Sequence, residues 1–153
     1  MTNYASWGAR VGGYLLNGLS AMLFALPAFI SFYAVPSERK LCTINDELRT
    51  CRVPTSQGWA IIIVLGAIGT IAYFVIYSKA VGSTGQFWGH RAAGVRIVNA
   101  DSGGSIGFWY AFTRLLLSFL NSAPCYLGYL WPLWDKRHQT FTDKIFSTVS
   151  VRV

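Results

Sequence analysis

Apolar positions gather into three long blocks separated by polar segments. The first block, Val11 to Ala34, runs 24 residues without an Asp, Glu, Lys or Arg. A helix rises about 1.5 Å per residue, so such a run crosses a hydrocarbon core of about 30 Å with some tilt. The second block, Trp59 to Ser78, stops at Lys79. Gly66, Gly69 and Thr70 put small residues near one side of it, where another helix can come close. The third block, Ile106 to Trp134, is interrupted by Arg114 and Pro124. It reads either as one tilted span starting near Leu115 or as two half-length segments that fold back at residues 121–124.

These blocks predict an all-α integral membrane protein, a small bundle of three to four transmembrane helices forming one domain over residues 1–153. Two short β-branched segments, Val95 to Val98 and Val149 to Val153, read as strands that pair. Such a pair is marginal alone and needs cover, which the amphipathic segment Phe87 to Ala93 supplies from the membrane surface. Asn99 to Gly104 is a turn.

Composition agrees: 53% of residues are hydrophobic, 12% are charged, and mean hydropathy is +0.39. So little polar surface cannot solvate a globule of this size. Trp7, Trp59, Trp131 and Trp134 fall where interfacial belts are expected. The first block exceeds the usual 7 to 15 residues of a signal-peptide core, so it is expected to be retained.

Charge sets an expected orientation. Residues 35–58 carry Arg39, Lys40, Arg49 and Arg52, which Arg10, Lys79, Arg91 and Arg96 match on the other side. Lys136, Arg137, Lys144 and Arg152 break the tie, so the expected protein is multi-pass in the plasma membrane with cytoplasmic N- and C-termini. Cys42 and Cys51 lie in the 35–58 segment, and their spacing suits a disulfide in an oxidising compartment. That loop is therefore expected to be external. It lacks the four ligands of a zinc site, and Cys125 reads as a small buried side chain.

Polar residues inside the apolar blocks are the candidate chemistry. Arg10, Tyr14 and Asn17 share one helical face. Arg114, Ser118, Asn121 and Cys125 repeat the pattern, again with Arg and Asn seven apart. The two stripes are expected to face each other, with Asp135 or Asp143 as counter-charge. One reading makes the arginines snorkelling anchors and the asparagines helix glue, worth roughly 1 kcal/mol per pair. The other makes the stripes a ligand or ion pocket.

Three stretches carry a family resemblance. GQFWGHRAAGVRIVNADSG (85–103), LGYLWPLWDKRHQTFTDKIFSTVSV (127–151) and YASWGARVGGYLLNGL (4–19) resemble segments of RDD family membrane proteins, small bacterial polytopic proteins. The resemblance implies Arg10 as the family arginine and Asp143 as the C-terminal aspartate. It places the family's intramembrane aspartate on Asn17, a departure, since an amide can hydrogen-bond but carries no charge. Proton- or ion-coupled transport, proposed for such proteins, is thereby weakened.

No enzymatic constellation is read. His90 and His138 have basic surroundings without ligands at metal spacing and read as solvated or interfacial. The segment 82–85 lacks the lysine of a phosphate loop, and no cofactor is implied. The +7 charge points to anionic lipid headgroups rather than nucleic acid. Expected partners are membrane lipids and either other membrane-protein subunits or further copies of the chain. The leading functional expectation is an accessory or assembly subunit of a larger membrane complex; the alternative is a homo-oligomeric transporter or ion-pathway protein.

Overall fold

A computed structural model describes residues 3–44, 46–123 and 125–153. In chain order, α1 (Trp7–Ala34) leads to strands β1 (Ser37–Ile44) and β2 (Glu47–Pro54), then α2 (Ser56–Thr84), α3 (Trp88–Ala92) and β3 (Val95–Asn99). Next come α4 (Phe108–Leu116), α5 (Phe119–Ser122), α6 (Leu127–Leu130), a 3-10 turn at Trp131–Leu133, α7 (Phe141–Ile145) and β4 (Thr148–Arg152). The fold is mostly helical with two small antiparallel sheets. The chain divides into two compact units, Ala21–Ala72 and Met1–Ser20 with Tyr73–Val153.

Two helices are long and apolar enough to cross a membrane, α1 with 28 residues and α2 with 29. Both extend beyond their apolar blocks, α1 by four residues at its start and α2 at both ends. The third block departs from a single-span reading. It breaks into helices of nine, four and four residues, each far short of the roughly 20 needed to cross. One break follows Leu116, where the Ser118 hydroxyl donates to the Leu115 carbonyl at 2.7 Å and competes with the helix ladder. A second comes where Cys125 and Tyr126 take left-handed φ of 49° and 61°. Pro124, part of the expected fold-back at 121–124, lies outside the described residues. The turn exposes Cys125, so the expected burial of that thiol is corrected.

In the unit Ala21–Ala72 the helices meet through small residues. A Cβ on Gly69 would strike the Phe24 carbonyl, and one on Gly66 would lie 3.7 Å from Ala28 Cβ. Between the helices stands a hairpin, with Ser37 opposite Pro54 and Ile44 opposite Glu47. It places Cys42 and Cys51 with Cα atoms 6.0 Å apart, within disulfide reach. Arg52 caps the end of α1, its guanidinium donating to the Tyr33 carbonyl at 2.9 Å and the Val35 carbonyl at 3.2 Å. A cation there satisfies the carbonyls a helix leaves unpaired and opposes its dipole.

In the other unit, β3 pairs with β4 from Val95–Arg152 to Asn99–Thr148. The N-terminal segment extends this pair: Tyr4 bridges Val151, and the Ala5 N–H donates to the Ser150 carbonyl at 2.9 Å. Tyr77, Val81, Phe87, Ile97, Ile106 and Ala111 form the apolar core beneath it. α3 supplies cover, as its pattern predicts, burying Phe87, Gly89 and His90 while Trp88 stays outside.

Candidate functional site

The site is built on α1. Arg10, Gly13 and Asn17 are buried at spacings of three and four, the turn-by-turn face of a helix. Gly13 leaves room for α3, which comes so close that a Cβ on Gly89 would lie 2.5 Å from the Gly13 carbonyl oxygen. The Gly89 N–H donates to Asn17 Oδ1 at 2.8 Å, tying α3 to α1.

Asp143 reaches the same place from α7. Thr140 caps that helix reciprocally: its hydroxyl accepts the Asp143 N–H at 3.2 Å, and Asp143 Oδ2 accepts the Thr140 N–H at 3.1 Å. This capping box fixes the carboxylate before any charge is considered. Asp143 is fully buried, Arg10 is 3% exposed and Arg114 is 5% exposed. Arg10 Nη1 donates to Asp143 Oδ2 at 3.4 Å, and Arg114 Nη2 donates to Oδ1. The Thr148 hydroxyl donates to Oδ1 at 3.0 Å. Burial alone would raise the Asp143 pKa, but Arg114, Arg10 and these hydrogen bonds outweigh it and hold the carboxyl below its usual range.

The two arginines differ in what remains of their charge. Arg10 spends its other donors on backbone, Nε to the Ala5 carbonyl at 3.1 Å and Nη2 to the Ser150 carbonyl at 2.9 Å. Arg114 Nε is buried without a hydrogen-bond partner among the described residues, and so is Asn17 Nδ2. A cavity of about 180 Å³ lies beside them, lined also by Tyr14, Tyr77, Tyr129 and Asn121.

Arg10, Arg114, Asn17, Asn121 and Asp143 thus gather in one unit. Neither arginine snorkels; both point inward to a carboxylate, which corrects the anchoring reading. Asn121 ties the third block to α7, its Nδ2 donating to the Thr142 hydroxyl at 2.9 Å and its Oδ1 accepting the Thr142 N–H at 3.2 Å. Asp135 does not join the arginines. It pairs with Lys144 at 2.7 Å and accepts the N–H groups of Arg137 and Gln139, which shapes its own turn. Cys125 leaves the stripe because the helix carrying it has ended.

His90 corrects the solvated reading, being 2% exposed between the rings of Tyr14 and Tyr77. Its Nδ1 accepts the Phe87 N–H at 3.2 Å, so the imidazole is neutral. Burial, then Arg114, lowers its pKa to about 3. Thr140, Thr142 and Thr148 were not singled out from sequence. The signal for Thr140 was present: Thr140-Phe-Thr-Asp143 is a capping-box spacing.

Comparison with known proteins follows the same residues. Over 88 residues the chain is 35% identical to the proline-rich antigen homolog of Mycobacterium tuberculosis, matched in two strains, covering 57% of this chain and 37% of that protein. Over 153 residues it is 26% identical to the proline-rich antigen of Mycobacterium leprae, covering 98% of this chain and 61% of that protein. The chain therefore spans less than two thirds of the length of these relatives. No solved structure matches it. The RDD family matches residues 4–147, a range that encloses Arg10, Asn17, Arg114, Asn121 and Asp143, and the chain belongs to that family.

Proposed function

We propose that this RDD family protein lies in the plasma membrane with residues 35–58 outside and both termini in the cytoplasm, and that it serves as an accessory or assembly subunit of a larger membrane complex. The observation that carries this reading is the α1–α2 seam at Gly69 and Phe24. Helices this close have no lumen between them, and two such helices enclose no pathway by themselves. Their remaining faces are apolar: none of the apolar window of α2 is buried within the chain. Gly8 and Gly12, one turn apart on α1, have nothing within 4 Å of an added Cβ. That small-xxx-small spacing lets a further helix approach closely. The eight-to-four division of basic residues supports the orientation. No catalytic role is part of the proposal.

A second reading, a homo-oligomer with a solute pathway between copies, is favoured by the polar cavity beside Arg114. Gentle-detergent extraction of the tagged chain from its native membrane, followed by a native gel and mass spectrometry, separates the two. A stoichiometric heterologous partner is expected. A clean homo-oligomer would move the weight to the second reading, and a lone monomer at every mild condition would count against both.

A further inference from the structure

The buried charges beside α1 do not cancel. Two guanidinium groups, Arg10 and Arg114, share one carboxylate, Asp143, which leaves one positive charge on buried side chains. The surplus is shared by the two guanidinium groups, but the other donors of Arg10 are taken by backbone carbonyls, so the donor left open is on Arg114. Arg114 is 95% buried by its 5% exposure, and its Nε–H has no partner among the described residues. Asn17, equally buried, has its Oδ1 occupied by the Gly89 N–H and its Nδ2 without a partner. Both residues line the cavity of about 180 Å³ together with the rings of Tyr14, Tyr77 and Tyr129.

The two buried lining atoms without a partner among the described residues, Arg114 Nε and Asn17 Nδ2, are both donors. No Asp or Glu stands among the lining residues. A cation would meet Arg114 at close range. Water would meet the donors but leave the charge, and an uncompensated charge in such a site costs several kcal/mol. We infer that the cavity beside Arg114 and Asn17 binds a small monovalent anion, a halide or a one- or two-carbon carboxylate. A volume of about 180 Å³ sets an upper bound on the anion's size, and the single surplus charge sets the valence. This site does not depend on the assembly reading, because all its residues belong to one unit of one chain.

The test uses the purified full chain in nanodiscs of zwitterionic lipid. Labelled chloride and labelled formate are each titrated by equilibrium dialysis against gluconate, at a constant ionic strength of about 0.15 M. A single saturable class of sites is expected for at least one of the two anions, with gluconate failing to compete. Competition between chloride and formate would show one site; binding of only one of them would identify its source. Asn17→Asp keeps the Oδ acceptor for Gly89, removes the Nδ2 donor and adds a charge, so it is expected to weaken binding about tenfold or more. Absence of saturable binding for both anions in the wild-type chain would overturn the inference, whether or not Asn17→Asp folds. Unchanged affinity in a folded Asn17→Asp chain would overturn it as well.

Discussion

Asp143→Asn keeps the shape of a side chain on which two buried guanidinium groups converge and removes the charge they share. Breaking a buried ion pair by deleting one partner costs about 3–5 kcal/mol, because the other charge stays behind without compensation. Asp135→Asn removes the charge paired with Lys144, whose side chain is 44% exposed, and leaves an amide oxygen that can still accept the Arg137 and Gln139 N–H groups; surface pairs are worth about 0–1 kcal/mol. Thermal denaturation of the two variants in the same detergent should separate them widely; comparable losses would refute the placing of Asp143 at the centre. His90 predicts a pH dependence. Its folded pKa is about 3 against an unfolded value of about 6.5, so over that interval the unfolded chain binds a proton that the folded chain refuses. Stability therefore falls as pH drops below about 6.5, by roughly 1.4 kcal/mol per pH unit from this residue. Asp143, with a lowered pKa, adds its own loss only below its unfolded value of about 3.9. Unfolding midpoints between pH 6 and 4.5 isolate the histidine, and His90→Gln should flatten the slope there.

What the sequence made legible at the level of elements follows the strength of each hydrophobic pattern. α1 and α2 were visible because an uninterrupted apolar run has one cheap solution in a bilayer, and β3 and β4 because β-branched residues alternate along both, with Val95 and Ile97 buried on one face of the pair and Val149 on the other. The β1–β2 hairpin was silent for the opposite reason. Its residues are nearly all exposed on both faces, so no alternation marks it, and only the cysteine pair pointed to a closed ring. The third block left a single span and a fold-back both open, because composition counts apolar residues and is blind to where a ladder stops. Ser118 and the left-handed pair Cys125–Tyr126 stop it, and neither residue type announces that role strongly. Within the site, helical spacing sufficed to place Arg10 and Asn17 on one face. It could not choose between Asp135 and Asp143, since that depends on the turn leading into α7. The capping threonine makes the choice, holding Asp143 inward while Asp135 is occupied by Arg137, Gln139 and Lys144.

For the whole molecule, the number of crossings decides which surface each end occupies. Two crossings, or four, return the C-terminus to the side of the N-terminus, whereas a third block spanning once would put the ends on opposite sides. The proposed orientation needs an even count, and helices α4, α5 and α6 are each too short to cross singly. The cysteines allow a direct test in intact cells with a Cys125→Ser chain, leaving Cys42 and Cys51 as the only thiols. An external, oxidised pair should resist a membrane-impermeant maleimide and become labelled after an impermeant reductant is added. Fluorescent or enzymatic reporters fused to each end should both report the cytoplasm. Labelling without reductant would mean that the pair is reduced; no labelling even with it, while permeabilised cells label readily, would put residues 35–58 inside. That last result would reverse the proposed orientation.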